Sequence, residues 1–377
     1  MIARTIEQQL SNRLFKGKAI LIFGPRQSGK STVVETMLTD GGHEYLFMSG
    51  DEADTLELLS RTTAPKLKAI FGAYKLVFID EAQRIPDIGL TLKIITDRLK
   101  DVQVIATGSS AFELMGKVNE SLTGRKYEFM LYPLSFEEMV AHHGLQEEKR
   151  LLQHRMIYGY YPEIVSKQGQ EKELLKLLAN SYLYKDLLML EQIKKPVLLS
   201  KLLKALALQI GSEVNYNELA QMVGADKGTV EKYIDLLEKA FVLFTVPALN
   251  RNVRNEIKKG KKIYFYDCGI RNAVINNFKA LDVRTDTGAL WENFVFAERK
   301  KMMDYSQTTV TQYFWRTTQQ QEIDLVEETE NGLAAFEIKW NPKSKARFSA
   351  TFIQNYEAVS TATVTPQNIE DFLLPVI

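Results

Sequence analysis

The segment Leu21–Thr32 constrains this chain more than any other, reading Leu-Ile-Phe-Gly-Pro-Arg-Gln-Ser-Gly-Lys-Ser-Thr. An apolar run, Ala19 to Phe23, is followed by Gly24, four residues, and then Gly29-Lys30-Ser31. This is the full G-x-x-x-x-G-K-[ST] spacing, set between a strand-like run and a helix-like one. Its two glycines let the backbone turn tightly enough for successive N–H groups to converge on one phosphate. A helix beginning near Lys30 directs the positive end of its dipole at the same anion. The sequence therefore predicts an ATP site in which Gly24, Pro25, Arg26, Gln27, Ser28, Gly29, Lys30, Ser31 and Thr32 form the phosphate loop. Lys30 is expected to reach the β- and γ-phosphates, and Ser31 to ligate Mg²⁺.

A second apolar run, Leu76-Val77-Phe78-Ile79, ends in Asp80-Glu81. A strand buried on both faces of a parallel sheet delivers the residues just past its end to the ligand edge. Asp80 is thus expected to hold Mg²⁺, and Glu81 to orient and deprotonate the attacking water. The alternative is that the two acids only cap the next helix. Val102–Ala106 reads as a further buried strand, ending in Thr107-Gly108-Ser109-Ser110. Ser109 is a candidate to sense the γ-phosphate, against a serine-rich cap for the helix pattern at Ala111–Leu114. Leu122-Thr123-Gly124-Arg125 leads into a last strand, Tyr127–Leu131. Arg125 is a candidate to supply positive charge in the transition state, against a plain surface arginine.

Together these segments resemble the AAA+-type ATPases of bacteria and archaea that carry a C-terminal domain of unknown function. The resemblance rests on Gly24, Arg26, Gln27, Gly29, Lys30 and Ser31, then Asp80-Glu81-Ala82-Gln83, Thr107–Ser110, Gly124-Arg125 and Pro133-Leu134-Ser135-Phe136-Glu137-Glu138. It covers most of residues 15–140. It implies an ATPase core whose sensor strand lies between the P-loop strand and the Asp-Glu strand. One departure is the lack of a second-sensor arginine in a following lid, which leaves the trigger of hydrolysis open.

Composition bounds the rest. At 377 residues the chain has room for two or three domains, and its net charge of +1 excludes whole-molecule attraction to nucleic acid or anionic lipid. A single cysteine, Cys268, excludes an internal disulfide and fits a reducing cytoplasm. No apolar run reaches the 18 residues of a membrane span, and the opening residues lack the core of a signal peptide.

The expected domains are a P-loop ATPase at 1–140, with an amphipathic helix over residues 4–15, then a helical linker at 141–197. The adjacent His142-His143 reads as a solvated hinge rather than a metal site. Gly159-Tyr160-Tyr161-Pro162-Glu163 breaks a helical pattern and matches the start of that family's C-terminal region. Residues 198–270 read as a winged helix-turn-helix: helices at 198–210, Asn217–Val223 and Lys227–Ala240, with a wing from Phe241. The last helix mixes lysines with acids, which argues against groove binding by the helix itself. Arg251, Arg254, Lys258, Lys259, Lys261 and Lys262 form the better candidate for double-stranded DNA, or an exposed turn between wing strands.

Residues 285–377 carry a second candidate site. Ile323–Val326 and Ala335–Lys339 read as paired strands turned at Asn331-Gly332, with acids at their centres. This arrangement resembles the PD-(D/E)xK, or restriction-endonuclease-like, fold. The resemblance implies a second Mg²⁺ site of Asp324 and Glu337, with Glu292 nearby and Lys339 orienting the water. A retained fold with no metal is the alternative.

The expected fold is α/β: a parallel P-loop sheet sandwiched by helices, then a winged helix-turn-helix and a restriction-endonuclease-like α/β domain. The expected function is an ATP-driven switch acting on its C-terminal half. An ATP-gated DNA endonuclease and a nucleotide-regulated module binding DNA or a protein partner stand as alternatives. Oligomerisation is open, and no membrane contact is expected.

Overall fold

The computed structural model describes residues 2–109, 122–180, 195–250, 260–317, 319, 321–344, 346–356 and 360–374. The chain divides into two compact units: Met1–Leu134 with Lys239–Phe241, and Ser135–Glu238 with Val242–Ile377.

The first unit is a five-stranded sheet: β1 (Ala19–Phe23), β2 (Leu46–Ser49), β3 (Leu76–Asp80), β4 (Gln103–Gly108) and β5 (Lys126–Met130). Its order is β2-β3-β4-β1-β5, and every pairing is parallel. The unbroken apolar runs explain this. All five residues of β1 and all six of β4 are buried, as central strands covered by helices on both faces require. Helix Lys30–Asp40 packs Val33, Val34, Met37 and Leu38 against Ile20, Ile22 and Phe78. Each large apolar side chain so buried contributes roughly 2 kcal/mol. The strand carrying Thr107 lies between the P-loop strand and the Asp-Glu strand, as the family resemblance implies.

The N-terminal helix is shorter than its amphipathic pattern suggests, Glu7–Ser11 rather than residues 4–15. Ile6 and Leu10 are buried in the sheet's core and Leu14 packs at its margin. The periodicity thus records a packing stripe that outlasts the helix.

The second unit holds two sheets. In the first, β6 (Glu213–Val214), β7 (Leu243–Pro247) and β8 (Lys261–Phe265) pair antiparallel in the order β6-β8-β7. Three helices, Pro196–Leu208, Tyr216–Val223 and Lys227–Lys239, precede β7. Asn215 caps the second of these, Gly224 closes it in the left-handed region, and Asp226 caps the third by accepting from the Thr229 amide.

In the other sheet, β9 (Thr311–Arg316), β10 (Glu322–Thr329) and β11 (Gly332–Ile338) are antiparallel, and β12 (Ser360–Val364) joins β11 in parallel. Helix Thr287–Ser306 precedes β9, and helix Ala350–Tyr356 comes between β11 and β12. The hairpin loop between β10 and β11 is Glu330-Asn331, one residue earlier than expected, because Gly332 already pairs with Thr329.

The Gly159–Glu163 segment locks against Asp267–Asn272. Asp267 accepts the Tyr160 amide at 2.7 Å, and Asn272 donates to the carbonyls of Met156 and Ile157. A Cβ on Gly159 would fall 2.1 Å from the Asp267 carboxylate, and one on Gly269 would fall 2.1 Å from the Tyr158 carbonyl oxygen. Both glycines are therefore required by close approach. Ala111–Leu114 with Ser110, and Arg251–Lys259, lie outside the described residues.

Candidate functional site

The loop between β1 and helix Lys30–Asp40 crosses the C-terminal edge of the sheet. Gln27 and Gly29 both take positive φ, 58° and 93°, on either side of Ser28. Alternation of this kind turns successive N–H groups to one side and makes an anion-binding concavity. Gly24 is required for a different reason: a Cβ there would lie 2.0 Å from the Leu131 carbonyl oxygen, where the chain leaves β5.

Lys30 is buried, and its ammonium donates to the carbonyls of Gly24 at 3.0 Å and Pro25 at 2.9 Å. Burial pulls its pKa down to about 8. Glu81 and Asp80 oppose that pull, and Arg26 adds to it. Ser31, at the start of the helix, donates to Asp80 Oδ2 at 2.8 Å. The end of β3 is thereby joined to the loop.

Asp80 also accepts from the Thr107 hydroxyl of β4. Glu81 leaves the strand in the left-handed region, φ 48°, and its amide donates to Thr107 Oγ1 at 3.3 Å. Its carboxylate takes Gln83 Nε2 at 2.5 Å and the Ser109 hydroxyl at 3.3 Å. Ser109 and Glu81 therefore meet, but the hydroxyl is engaged with the acid. The oxygen donors of Ser31 and Asp80, side by side at the helix start, are of the type and number that Mg²⁺ takes when phosphates and water supply its remaining ligands.

Arg125 is placed elsewhere. β5 runs parallel to β1 with Lys126 opposite Ala19, and Arg125 precedes that pair, hydrogen-bonding the Ala19 amide through its carbonyl. It sits at the N-terminal edge of the sheet, about 16 Å of strand away from the loop. Its guanidinium pairs with Asp97 at 2.6 Å. Arg125 does not reach the phosphate loop of its own chain, and that expectation is corrected.

In the second unit, Asp324 of β10 accepts from the Lys339 ammonium at 2.9 Å and from the Ile338 amide at 2.8 Å. The same ammonium pairs with Glu337 at 2.7 Å. Burial and the neighbouring Asp324 raise the Glu337 pKa, with Lys339 opposing. Glu292 is committed to other partners, accepting from Lys262 at 3.1 Å and from the Tyr264 hydroxyl at 2.6 Å. Lys262 also pairs with Glu322 at 2.7 Å, and only 2% of its side chain is exposed. Among the described residues no three Asp, Glu, His or Cys side chains gather to hold a metal. The acids expected around a second Mg²⁺ are each ion-paired with a lysine, Asp324 and Glu337 with Lys339 and Glu292 with Lys262. Lys262, expected in a DNA-facing basic patch, is a buried ion-pair partner. Lys261, half-buried beside it, lines an open cleft of about 690 Å³ with Glu213, Lys227 and Arg316.

Residues 16–140 match the AAA domain family. The helix-flanked parallel sheet of the first unit resembles that of P-loop ATPases. Residues 149–281 and 287–370 match two domains of unknown function, DUF8612 and DUF4143. An uncharacterized protein of Mycobacterium tuberculosis is 27% identical over 340 residues, covering 89% of this chain and 73% of the relative. An uncharacterized protein of Haemophilus influenzae is 25% identical over 297 residues, covering 75% and 71%. Among solved structures, the Walker-type ATPase PABY2304 of Pyrococcus abyssi matches with a TM-score of 0.48 and 13% identity, covering 73% of this chain and 96% of that one.

Sequence alone does not single out two residues that support the acids ending β3. Gln83 holds the Glu81 carboxylate, although in sequence it stood only as part of a four-residue motif. Gly50, just past β2, gives its amide to the Asp80 carbonyl at 2.8 Å, and a Cβ there would fall 2.4 Å from the Glu81 carbonyl oxygen. A glycine directly after a short strand was the signal available for it.

Proposed function

We propose that the chain is an ATPase whose hydrolysis cycle drives a conformational change in its C-terminal half. The observation that carries this reading is the Ser31–Asp80 hydrogen bond, which draws the helix start and the acid of β3 to one point beside the buried Lys30. Loop amides from Gly29 to Thr32 would bind the phosphates, and the Lys30 ammonium would neutralise their charge. Ser31 and Asp80 would hold Mg²⁺, which supplies charge stabilisation on the transferring phosphoryl group. Glu81, oriented by Gln83 and Ser109, would accept the proton of the attacking water.

The helices and β7–β8 hairpin over residues 196–265 have the order of a winged helix-turn-helix. We assign them, with residues 285–377, as the parts that respond to the nucleotide, DNA or a protein being the partner. A reducing cytoplasmic setting suits the free, buried Cys268. The decisive measurement is phosphate release with and without double-stranded DNA. Stimulation that weakens with salt supports a DNA partner. Turnover indifferent to DNA points to a protein, and no turnover under any condition overturns the ATPase reading.

The endonuclease reading draws its support from the helix-β9-β10-β11-helix-β12 order and from the meeting of Asp324, Glu337 and Lys339. Its test is Mg²⁺-dependent nicking of plasmid that is lost in Asp324→Ala.

A further inference from the structure

Ahead of the phosphate loop stands Arg4, a buried arginine that the proposed chemistry does not use. Two different nitrogens of its guanidinium reach two different backbone segments. Nη1 donates to the Ser28 carbonyl at 2.7 Å, and Nη2 donates to the Tyr132 carbonyl at 2.7 Å. Ser28 lies within the loop, between the two positive-φ residues, and Tyr132 follows β5. Arg4 itself is fixed from behind, its amide donating to Glu7 at 3.0 Å in the short N-terminal helix. The same fork comes within 3.6 Å of where a Cβ on Gly29 would stand.

The planar peptide makes this contact directional. In a trans peptide unit the C=O and the following N–H point to opposite sides, and the described chain has no cis peptide. Holding the Ser28 carbonyl against Arg4 therefore turns the Gly29 N–H to the side away from the arginine. Gly29 carries no Cβ to resist a flip of that unit, so an external hydrogen bond must fix it. A charged donor makes the stronger kind of bond, and the fork shape lets one side chain hold two carbonyls at once. The second carbonyl belongs to the segment whose neighbour, Leu131, closes against Gly24.

We infer that Arg4 is a positioning residue of the nucleotide site: its guanidinium locks the Ser28–Gly29 peptide so that the Gly29 amide stays aimed into the anion cradle, and it ties the loop to the exit of β5. This inference rests on the nucleotide reading proposed above. Arg4 acts through the backbone, with no contact to the nucleotide required.

The test uses the full-length protein, with MgATP and MgADP affinity measured by isothermal titration for the wild type, Arg4→Met and Arg4→Lys. Thermal unfolding of each nucleotide-free protein is followed alongside. One ammonium cannot hold both carbonyls in the arginine's geometry, so Arg4→Lys should lose about tenfold in affinity for both nucleotides and Arg4→Met at least as much. In steady state the loss should fall on KM, with kcat at saturating ATP kept within about twofold, because the groups that act on water are untouched. A merely structural arginine would lower the unfolding temperature and leave the affinity of the folded protein unchanged. Arg4→Lys binding both nucleotides as the wild type does overturns the inference, even if Arg4→Met fails to fold. A wild-type chain that binds neither nucleotide overturns the nucleotide reading, and the clamp with it. Wild-type binding matched by Arg4→Lys overturns the clamp alone.

Discussion

The amide of Gln83 lies 2.5 Å from the carboxylate of Glu81, two residues back along the same turn, and Ser109 shares that carboxylate. Glu81 is therefore held by neighbours from its own turn and from the end of β4. Both bonds fall on Oε2, so they orient the carboxylate without occupying its other oxygen.

Glu81→Gln should leave MgATP binding intact and reduce turnover by about 10²–10⁴-fold, since the amide keeps the shape and loses the base. Phosphate release together with retention of radiolabelled ATP on the protein checks this. Turnover at the wild-type rate would remove Glu81 from the chemistry.

Gly50→Ala should act on the same carboxylate from the other side. The added Cβ would stand 2.4 Å from the Glu81 carbonyl oxygen, so the turn after β3 has to move. A displacement of about 1 Å there should lower kcat by tenfold or more. ATP affinity should change much less, because the phosphate loop is not displaced. Paired measurements of kcat and MgATP affinity decide between this outcome and general unfolding.

Burial holds the Lys30 pKa at about 8, below the ordinary lysine value, so above pH 8 much of the nucleotide-free protein carries a neutral amine. The phosphates of a bound nucleotide favour the charged form, so MgATP binding at about pH 8.5 should take up protons. Titration calorimetry in buffers of different ionisation enthalpy reads that uptake directly. Binding enthalpies independent of buffer would contradict it. Without nucleotide the sign is different in kind: between about pH 8 and 10.5 the unfolded chain binds the extra proton, so this group makes stability rise with pH across that window.

Lys262→Met should destabilise the second unit by about 3 kcal/mol, because Glu292 and Glu322 lose a shared buried partner. All three tryptophans, Trp291, Trp315 and Trp340, lie in that unit, so urea unfolding followed by tryptophan fluorescence reports on it selectively. Restoring neutrality with Glu292→Gln in the same chain should recover part of the loss.

The parts of this architecture visible in the sequence are those where burial imposes an unbroken pattern. Ala19–Phe23 and Leu76–Ile79 were legible as strands because both faces of a central parallel strand are apolar, and the loop because its glycines are forced. Charged residues were harder to place. Lys262 looks like part of a basic run, and only the fold shows that β8 turns it toward Glu292 while leaving Lys261 half-buried. Arg125 sits before its strand rather than after it, and strand direction decides which edge of the sheet it occupies. Arg4 left no mark at all: its partners are two carbonyls 24 and 128 residues away, and carbonyls carry no sequence identity.

Strand order has a further consequence for how the chain is made. β1 emerges first from the ribosome, yet it pairs only with β4 and β5, whose residues begin at Gln103 and Lys126. During synthesis its wholly apolar run must therefore wait, unpaired, through some eighty residues of further translation. β2 and β3 can pair with one another in the meantime but cannot shelter it. Nascent chains halted before β4 should accordingly be bound by chaperones and readily cleaved near residue 20, and chains halted past Leu134 should not.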